Sequence, residues 1–367
     1  MPKILLVTTS FENGAIPNIL IDLAPFWLES GFIPQILTLQ PFPADDAPVQ
    51  RWRALGLGIE SLGMSSRATL SVLGPLGRKI RTLAPELIHT HLGRADVYVP
   101  WVKGRVPQVS TFHSVRRNAG RLTRWGWKLS DRLVSHRTGV SQACIDSFYA
   151  DGFLRSSHSV IYNPVNPGRL AGFRRRSDLL AGFGWDDTVR VLLAVGRLVP
   201  VKGHWDLLEG FAELARARPE LRLVIAGDGP LEGELRGRIE SLRLADKVKL
   251  AGSWSGVGDL YRAADLLVFP SHWEGLGLVP LEALSCGCPV VSSRLPAVEE
   301  FLTEGETGRF FAAGDPVDLA RVVAEALDKP EEGRAQALRG QAMVRDRFAP
   351  ARIAAQYGDL WREVLGG

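Results

Sequence analysis

Short runs of branched apolar residues alternate along this chain with longer amphipathic segments, and that alternation narrows the architectures open to it. KILLVTT, QILTL, LIHTH, PQVSTFH, HRTGVS and SVIYNPV read as strands in the first half, with NILIDLAPFWLES as the helix between the first two. VRVLLAVG, LRLVIAGDG, KVKLAG, DLLVFPS and CPVVSS read as strands in the second half. Between them WDLLEGFAELARARP, LEGELRGRIESLR, VGDLYRAA and VPLEALSCG read as helices. Strand and helix in repetition signal parallel sheets joined by crossover helices, an α/β architecture. At 367 residues the chain exceeds one ordinary core and divides in two. The segment YNPVNPGRLAGFRRR, with two prolines and a change in charge balance, marks the boundary. The expected domains are residues 1–165 and 166–348, with the amphipathic helix of 349–367 packing back on the first.

Composition excludes several classes. No apolar run approaches the ~18 residues of a membrane span. The opening MPKILLVTTSFENG turns polar after four apolar residues, so it reads as a first strand and not as a secretory signal. Three cysteines, Cys144, Cys286 and Cys288, do not make a disulfide framework and point to a reducing cytoplasm. Cys286-Gly-Cys288 lacks a second ligand pair, so buried thiols are expected there in preference to a metal site. Residues 1–170 carry 19 basic and 11 acidic side chains, against 25 and 29 in 171–367. The basic first half is expected to face something anionic.

Open parallel sheets bind ligands beyond the carboxyl ends of their strands, where loops lead into helices. Two loops of the second half fit that position. GRLVPVKG follows VLLAV and places Arg197 and Lys202 beside a helix start, the fork and point charge that a diphosphate requires. A solvated basic loop would look the same in isolation. The second loop, HWEGLGLVP, follows DLLVFPS; its glycines allow close backbone approach, and Pro280 suits the first turn of a helix. The N–H groups of Gly277, Leu278 and Val279 would then point at a phosphate. Glu282, one turn further in, suits the vicinal hydroxyls of a ribose, although a glutamate near a helix start is also ordinary dipole chemistry. Glu274 on the loop would reach a sugar beyond the diphosphate.

GRLVPVKG, AGDGPLEGEL, FPSHWEGLGLVPLEALSCGCPVV and EGETGRFFAAGD, in that order over most of residues 190–330, resemble glycosyltransferase family 4, the glycosyl transferases group 1. The resemblance implies the GT-B fold: two Rossmann-like parallel-sheet domains facing across a cleft, acceptor side first and donor side second. It further implies that Arg197 and Lys202 hold the donor diphosphate, Glu282 the ribose and Glu274 the transferred sugar. In the first domain the family's glycine pair is represented by Gly14 alone, in NGAIPN. His113, after VSTF, matches a family histidine near the transferred sugar. The family's later paired glycine is replaced by SSRLPAVEE, so donor contacts on that side are expected to differ. The implied activity is retaining transfer from a nucleotide-diphosphate sugar to an acceptor hydroxyl, in glycan, glycolipid or cell-surface polysaccharide synthesis. No Asp-x-Asp triplet occurs, so no metal and no other cofactor is expected. The rivals are an epimerase of the same fold, a much longer phosphorylase, and a non-catalytic nucleotide-sugar binder.

Residues 116–137 contain seven basic residues, one acid and two tryptophans. On one continuous helix Leu122, Trp125, Leu129 and Leu133 share a face, with Arg117, Arg121, Arg124, Lys128 and Arg132 on another. The apolar face is either buried or turned to an acceptor or an anionic membrane. Nucleic acid is not expected, since no stacking sheet or recognition helix is evident. The expected location is cytoplasmic, extending to peripheral contact with the inner membrane face.

Overall fold

A computed structural model describes residues 1–367 apart from 13, 66–69, 92, 173 and 367. The chain forms two compact units, residues 1–164 with 348–367, and residues 165–347. Each is built on one parallel sheet.

The first sheet contains β1 (Lys3–Thr8), β2 (Ile33–Thr38), β3 (Ile59–Ser61), β4 (Leu87–His91), β5 (Gln108–Phe112), β6 (His136–Gly139) and β7 (His158–Val160), in the order β3-β2-β1-β4-β5-β6-β7. Ile4, Leu5, Leu6 and Val7 of β1 are all buried, as a strand covered on both faces requires. One face carries Leu5, Val7, Leu37 and Ile88 against Val72, Leu76, Ile80 and Val99. The C-terminal helix Pro350–Gly366 packs on the helix Ala15–Glu29. Trp27 and Trp361 meet there with ring centroids 4.8 Å apart, and the Trp27 indole N–H donates to the Ala354 carbonyl at 3.2 Å.

The second sheet contains β8 (Arg190–Val195), β9 (Leu221–Ala226), β10 (Val248–Gly252), β11 (Leu266–Phe269), β12 (Val290–Ser293) and β13 (Arg309–Phe311), in the order β10-β9-β8-β11-β12-β13. Leu192, Leu223, Ile225, Val268 and Val291 pack against Leu207 and Phe211 of the helix His204–Ala217 and Leu319 and Val323 of Pro316–Asp328. The order reverses between β8 and β11, which pair through Leu192–Leu266 and Leu193–Leu267. Such a reversal sends the two following helices to opposite faces and opens a crevice between their loops. The first sheet has its own reversal between β1 and β4.

The basic segment 116–137 is not one helix. Arg116–Asn118 and Asp131–Leu133 are 3-10 turns around the helix Arg121–Ser130, and His136 already belongs to β6. Gly120 enters the helix in extended conformation, and the Asp131 carboxylate is held outside it by the N–H groups of Arg155 and Ser156. No helix among the described residues is long and apolar enough to cross a membrane.

Candidate functional site

The loops after β8 and β11 lie side by side at the reversal of the second sheet, because their strands are neighbours. Two contacts lock them together. The His272 N–H donates to the Val201 carbonyl at 2.8 Å. Gly203, with φ 64°, lies so close under Pro270 that a Cβ there would stand 2.0 Å from the Pro270 carbonyl oxygen. Only glycine meets both demands. His204 supports the first loop from below: its Nε2 lies 3.2 Å from the Arg197 carbonyl oxygen. Burial lowers the His204 pKa to about 4, so the ring is neutral and Nε2 is the nitrogen that carries the hydrogen to that carbonyl.

Lys202 and Glu274, one from each loop, form an ion pair with Nζ 2.6 Å from Oε1. The side chains are 22% and 14% exposed, so the pair is largely withdrawn from water. The Ser271 hydroxyl donates to the same Oε1 at 2.8 Å. Glu274 Oε2 has no hydrogen-bond partner among the described residues. An ammonium has three hydrogens, so Lys202 can keep Glu274 and still donate to a bound anion. Arg197 is exposed and has no carboxylate partner among the described residues.

Gly277, with φ 92°, caps the helix Leu278–Ser285. The N–H groups of Leu278 and Val279, in the first turn, have no carbonyl within the helix to bond. Glu282 lies on the same helix, 12% exposed, and its two oxygens are approached from different sides. Tyr261 donates its hydroxyl to Oε2 at 3.0 Å, and Arg169 lies 3.6 Å from Oε1. Burial, reinforced by Glu282, raises the Tyr261 pKa well above its usual value and keeps it a donor.

In the first unit, Gly14 precedes the helix Ala15–Glu29 in extended conformation, φ 171°. A Cβ there would meet only the Glu12 carbonyl, at 3.8 Å, so the fold itself does not require glycine at this point. Asn13 of the NGAIPN segment lies outside the described residues. His113 follows β5, and its Nε2 lies 3.0 Å from Nδ1 of His91 at the end of β4. His89, two residues earlier on the same face, packs against His91 with tilted rings and centroids 4.1 Å apart, and bonds Thr111 through Nε2 at 2.7 Å. Burial lowers His113 to about 4 and His89 to about 3, and holds His91 well below 6.5. All three rings are therefore neutral at physiological pH, and one hydrogen is shared between His91 and His113. His113 Nδ1 is buried without a partner among the described residues.

Sequence reasoning missed Tyr261, Arg169, Ser271, His204 and His91. The His-Thr-His spacing of LIHTH did place two imidazoles on one face; the others carried no local signal. Burial raises the Cys286 thiol to about 11 and the Cys288 thiol higher still, so both stay protonated at neutral pH.

Residues 176–342 match the sequence model of the family described as glycosyl transferases group 1, and residues 17–169 that of glycosyltransferase family 4. The N-acetyl-alpha-D-glucosaminyl L-malate synthase of Bacillus anthracis is 25% identical over 62% of this chain and 62% of its own length. The lipopolysaccharide core biosynthesis mannosyltransferase LpsB of Rhizobium meliloti is 32% identical over 57% of this chain and 63% of its own. The chain thus spans less than two thirds of the length of the curated relatives it matches. Among solved structures, HepE of Anabaena in complex with UDP and glucose superposes with a TM-score of 0.86 at 24% identity, over 99% of this chain and 100% of that one. That likeness is one of fold: two parallel-sheet α/β domains of the GT-B type.

Proposed function

The chain belongs to glycosyltransferase family 4, and from that premise we propose that it transfers a sugar from a nucleotide-diphosphate sugar to an acceptor hydroxyl, with retention of configuration and without a metal. The observation that carries this reading is the Lys202–Glu274 pair, set between two interlocked loops at a sheet reversal, with the exposed Arg197, which has no carboxylate partner among the described residues, on one loop and a helix start on the other. Breaking the bond between sugar and diphosphate leaves negative charge on the departing phosphate and positive charge at the anomeric carbon. Lys202, Arg197 and the N–H groups of Leu278 and Val279 supply fixed positive charge for the first without a metal ion. Glu274 is assigned to the sugar: Oε1 is immobilised by Lys202 and Ser271, and Oε2 is left to accept from a hydroxyl. Its role is positioning and electrostatic, with no covalent step assigned to it.

Glu282 is assigned to the ribose, its carboxylate pre-oriented by Tyr261 and Arg169. His113 is assigned to the transferred sugar as a neutral hydrogen-bonding group through Nδ1, and Gly14 to backbone approach to the donor. The complex of HepE with UDP and glucose supports a nucleotide-sugar donor. The lipopolysaccharide mannosyltransferase among the relatives supports a glycan or lipid-linked acceptor and a place in glycan, glycolipid or cell-surface polysaccharide synthesis. The thiols of Cys286 and Cys288, held protonated by burial, support a cytoplasmic setting.

The test is incubation with uridine, guanosine and adenosine diphosphate sugars, in the presence of a metal chelator. Release of nucleoside diphosphate with sugar transfer or donor hydrolysis is the expected result. Formation of an epimeric nucleotide sugar, or binding of every donor tested without turnover, would overturn the reading.

A further inference from the structure

The helix Arg121–Ser130 presents three separate faces. One is buried: Trp127 packs edge-on against the stacked rings of Phe112 and Phe148, with centroids 5.3 and 5.2 Å away. Gly126 brings this face so close to the helix Gly93–Tyr98 that a Cβ would stand 2.6 Å from Val97 Cγ1. That close approach fixes the rotation of the helix. The second face is apolar and bare: Leu122 is 88%, Trp125 60% and Leu129 65% exposed, and Leu133 continues the row at 39%. No described residue of the first unit covers it.

The third face, flanking the second, carries Arg121, Arg124 and Lys128, none with a carboxylate partner among the described residues. These cations and Trp125 border a cavity of about 320 Å³ with Phe153 on its wall. Arg116, also at this cavity, is already neutralised by a two-pronged bond to Asp151 at 2.9 and 2.7 Å.

We propose that this face docks on an anionic phospholipid bilayer, with Leu122, Trp125, Leu129 and Leu133 entering the headgroup boundary and Arg121, Arg124 and Lys128 taking lipid phosphates. The reason is the pairing of features. A row of bare apolar side chains beside uncompensated cations matches a surface that offers hydrocarbon and negative charge together. A polyanion such as RNA would satisfy the cations and leave the leucines in water. A second copy of the chain in a two-fold contact would cover the leucines and set like charges against each other. The inference needs neither donor nor transfer, so it stands or falls apart from the proposed activity.

The test is co-sedimentation of the whole chain with vesicles of phosphatidylcholine alone and of phosphatidylcholine with about 30 mol % phosphatidylglycerol. Binding at least about tenfold stronger to the anionic vesicles, weakening as salt rises, is expected. Leu122→Ser/Trp125→Ser/Leu129→Ser should lose that binding about tenfold or more while keeping the wild-type melting temperature, since all three positions are exposed. Arg121→Gln/Arg124→Gln/Lys128→Gln should abolish the preference for anionic lipid. Wild-type protein left in the supernatant with both vesicles would overturn the proposal, as would undiminished binding by the serine variant. Light scattering closes the remaining case: a lipid-free dimer that the serine variant dissolves would make the face a self-association surface and overturn lipid docking.

Discussion

Tyr261 donates its hydroxyl hydrogen to Glu282 Oε2 over 3.0 Å from a fully buried position. A carboxylate held from below in this way presents the same lone pairs whether or not a ligand is present. Tyr261→Phe removes the donor without changing shape. The expected cost is about 1–3 kcal/mol of stability and about tenfold in nucleoside-diphosphate affinity. Denaturant unfolding and calorimetry measure the two. Wild-type values in both would show that Glu282 does not depend on Tyr261. Glu282→Gln should weaken nucleotide affinity selectively, and unchanged affinity would return Glu282 to a purely structural role.

Lys202→Ala leaves Glu274 largely buried without its cation. Because both side chains keep some contact with water, the expected destabilisation is about 1–2 kcal/mol, below that of a fully buried pair. Lys202→Ala/Glu274→Gln should recover most of that loss, since it leaves no unpaired charge. Turnover should fall at least about hundredfold in both variants, because the departing phosphate loses its ammonium. Normal turnover in Lys202→Ala would remove the diphosphate assignment.

The histidine cluster predicts how stability depends on pH. In the unfolded chain an imidazole takes up a proton near 6.5; in the fold His113 does so near about 4 and His89 near about 3. Between these values the unfolded state binds more protons. Stability should therefore fall as pH is lowered from 6.5 towards 4, by up to about 1.4 kcal/mol per pH unit for each buried ring. The slope should be shallower in His113→Asn. Imidazole resonances of His89 and His113 should be silent between pH 5 and 8, and a titration near 6.5 would contradict the neutral cluster.

Two glycines should behave in opposite ways. Gly203→Ala forces a left-handed backbone and a clash with the Pro270 carbonyl, and is expected to cost at least about 3 kcal/mol by thermal or chemical unfolding. Gly14→Ala should change stability by less than about 0.5 kcal/mol, since the backbone is extended and the space is open. A fall in donor affinity in Gly14→Ala would then report the ligand alone.

The regularity of the apolar runs made the two parallel sheets legible, since strands covered on both faces are nearly continuous in Val, Ile and Leu. β3 and β13 escaped because IES and RFF are short and lack a run of branched apolar residues, unlike the equally short β7 within SVIYNPV. The loops bearing Arg197, Lys202, Glu274 and Glu282 were legible through their glycines and charges. Their second layer was not: Tyr261 sits in an unremarkable helix, and Arg169 reads as part of a linker. Each meets Glu282 only because the fold brings distant segments together. The apolar row of Leu122, Trp125 and Leu129 was visible as a row, but periodicity does not distinguish a face turned inward from one left bare. The close packing of Gly126 on Val97 decides that.

The seat of Gly203 beneath Pro270, together with the His272–Val201 bond, makes the two cationic and acidic loops one mechanical part. Chimeras intended to alter sugar preference should therefore draw both segments from a single parent. Grafting either segment alone would import a backbone contour that its neighbour was not shaped to receive.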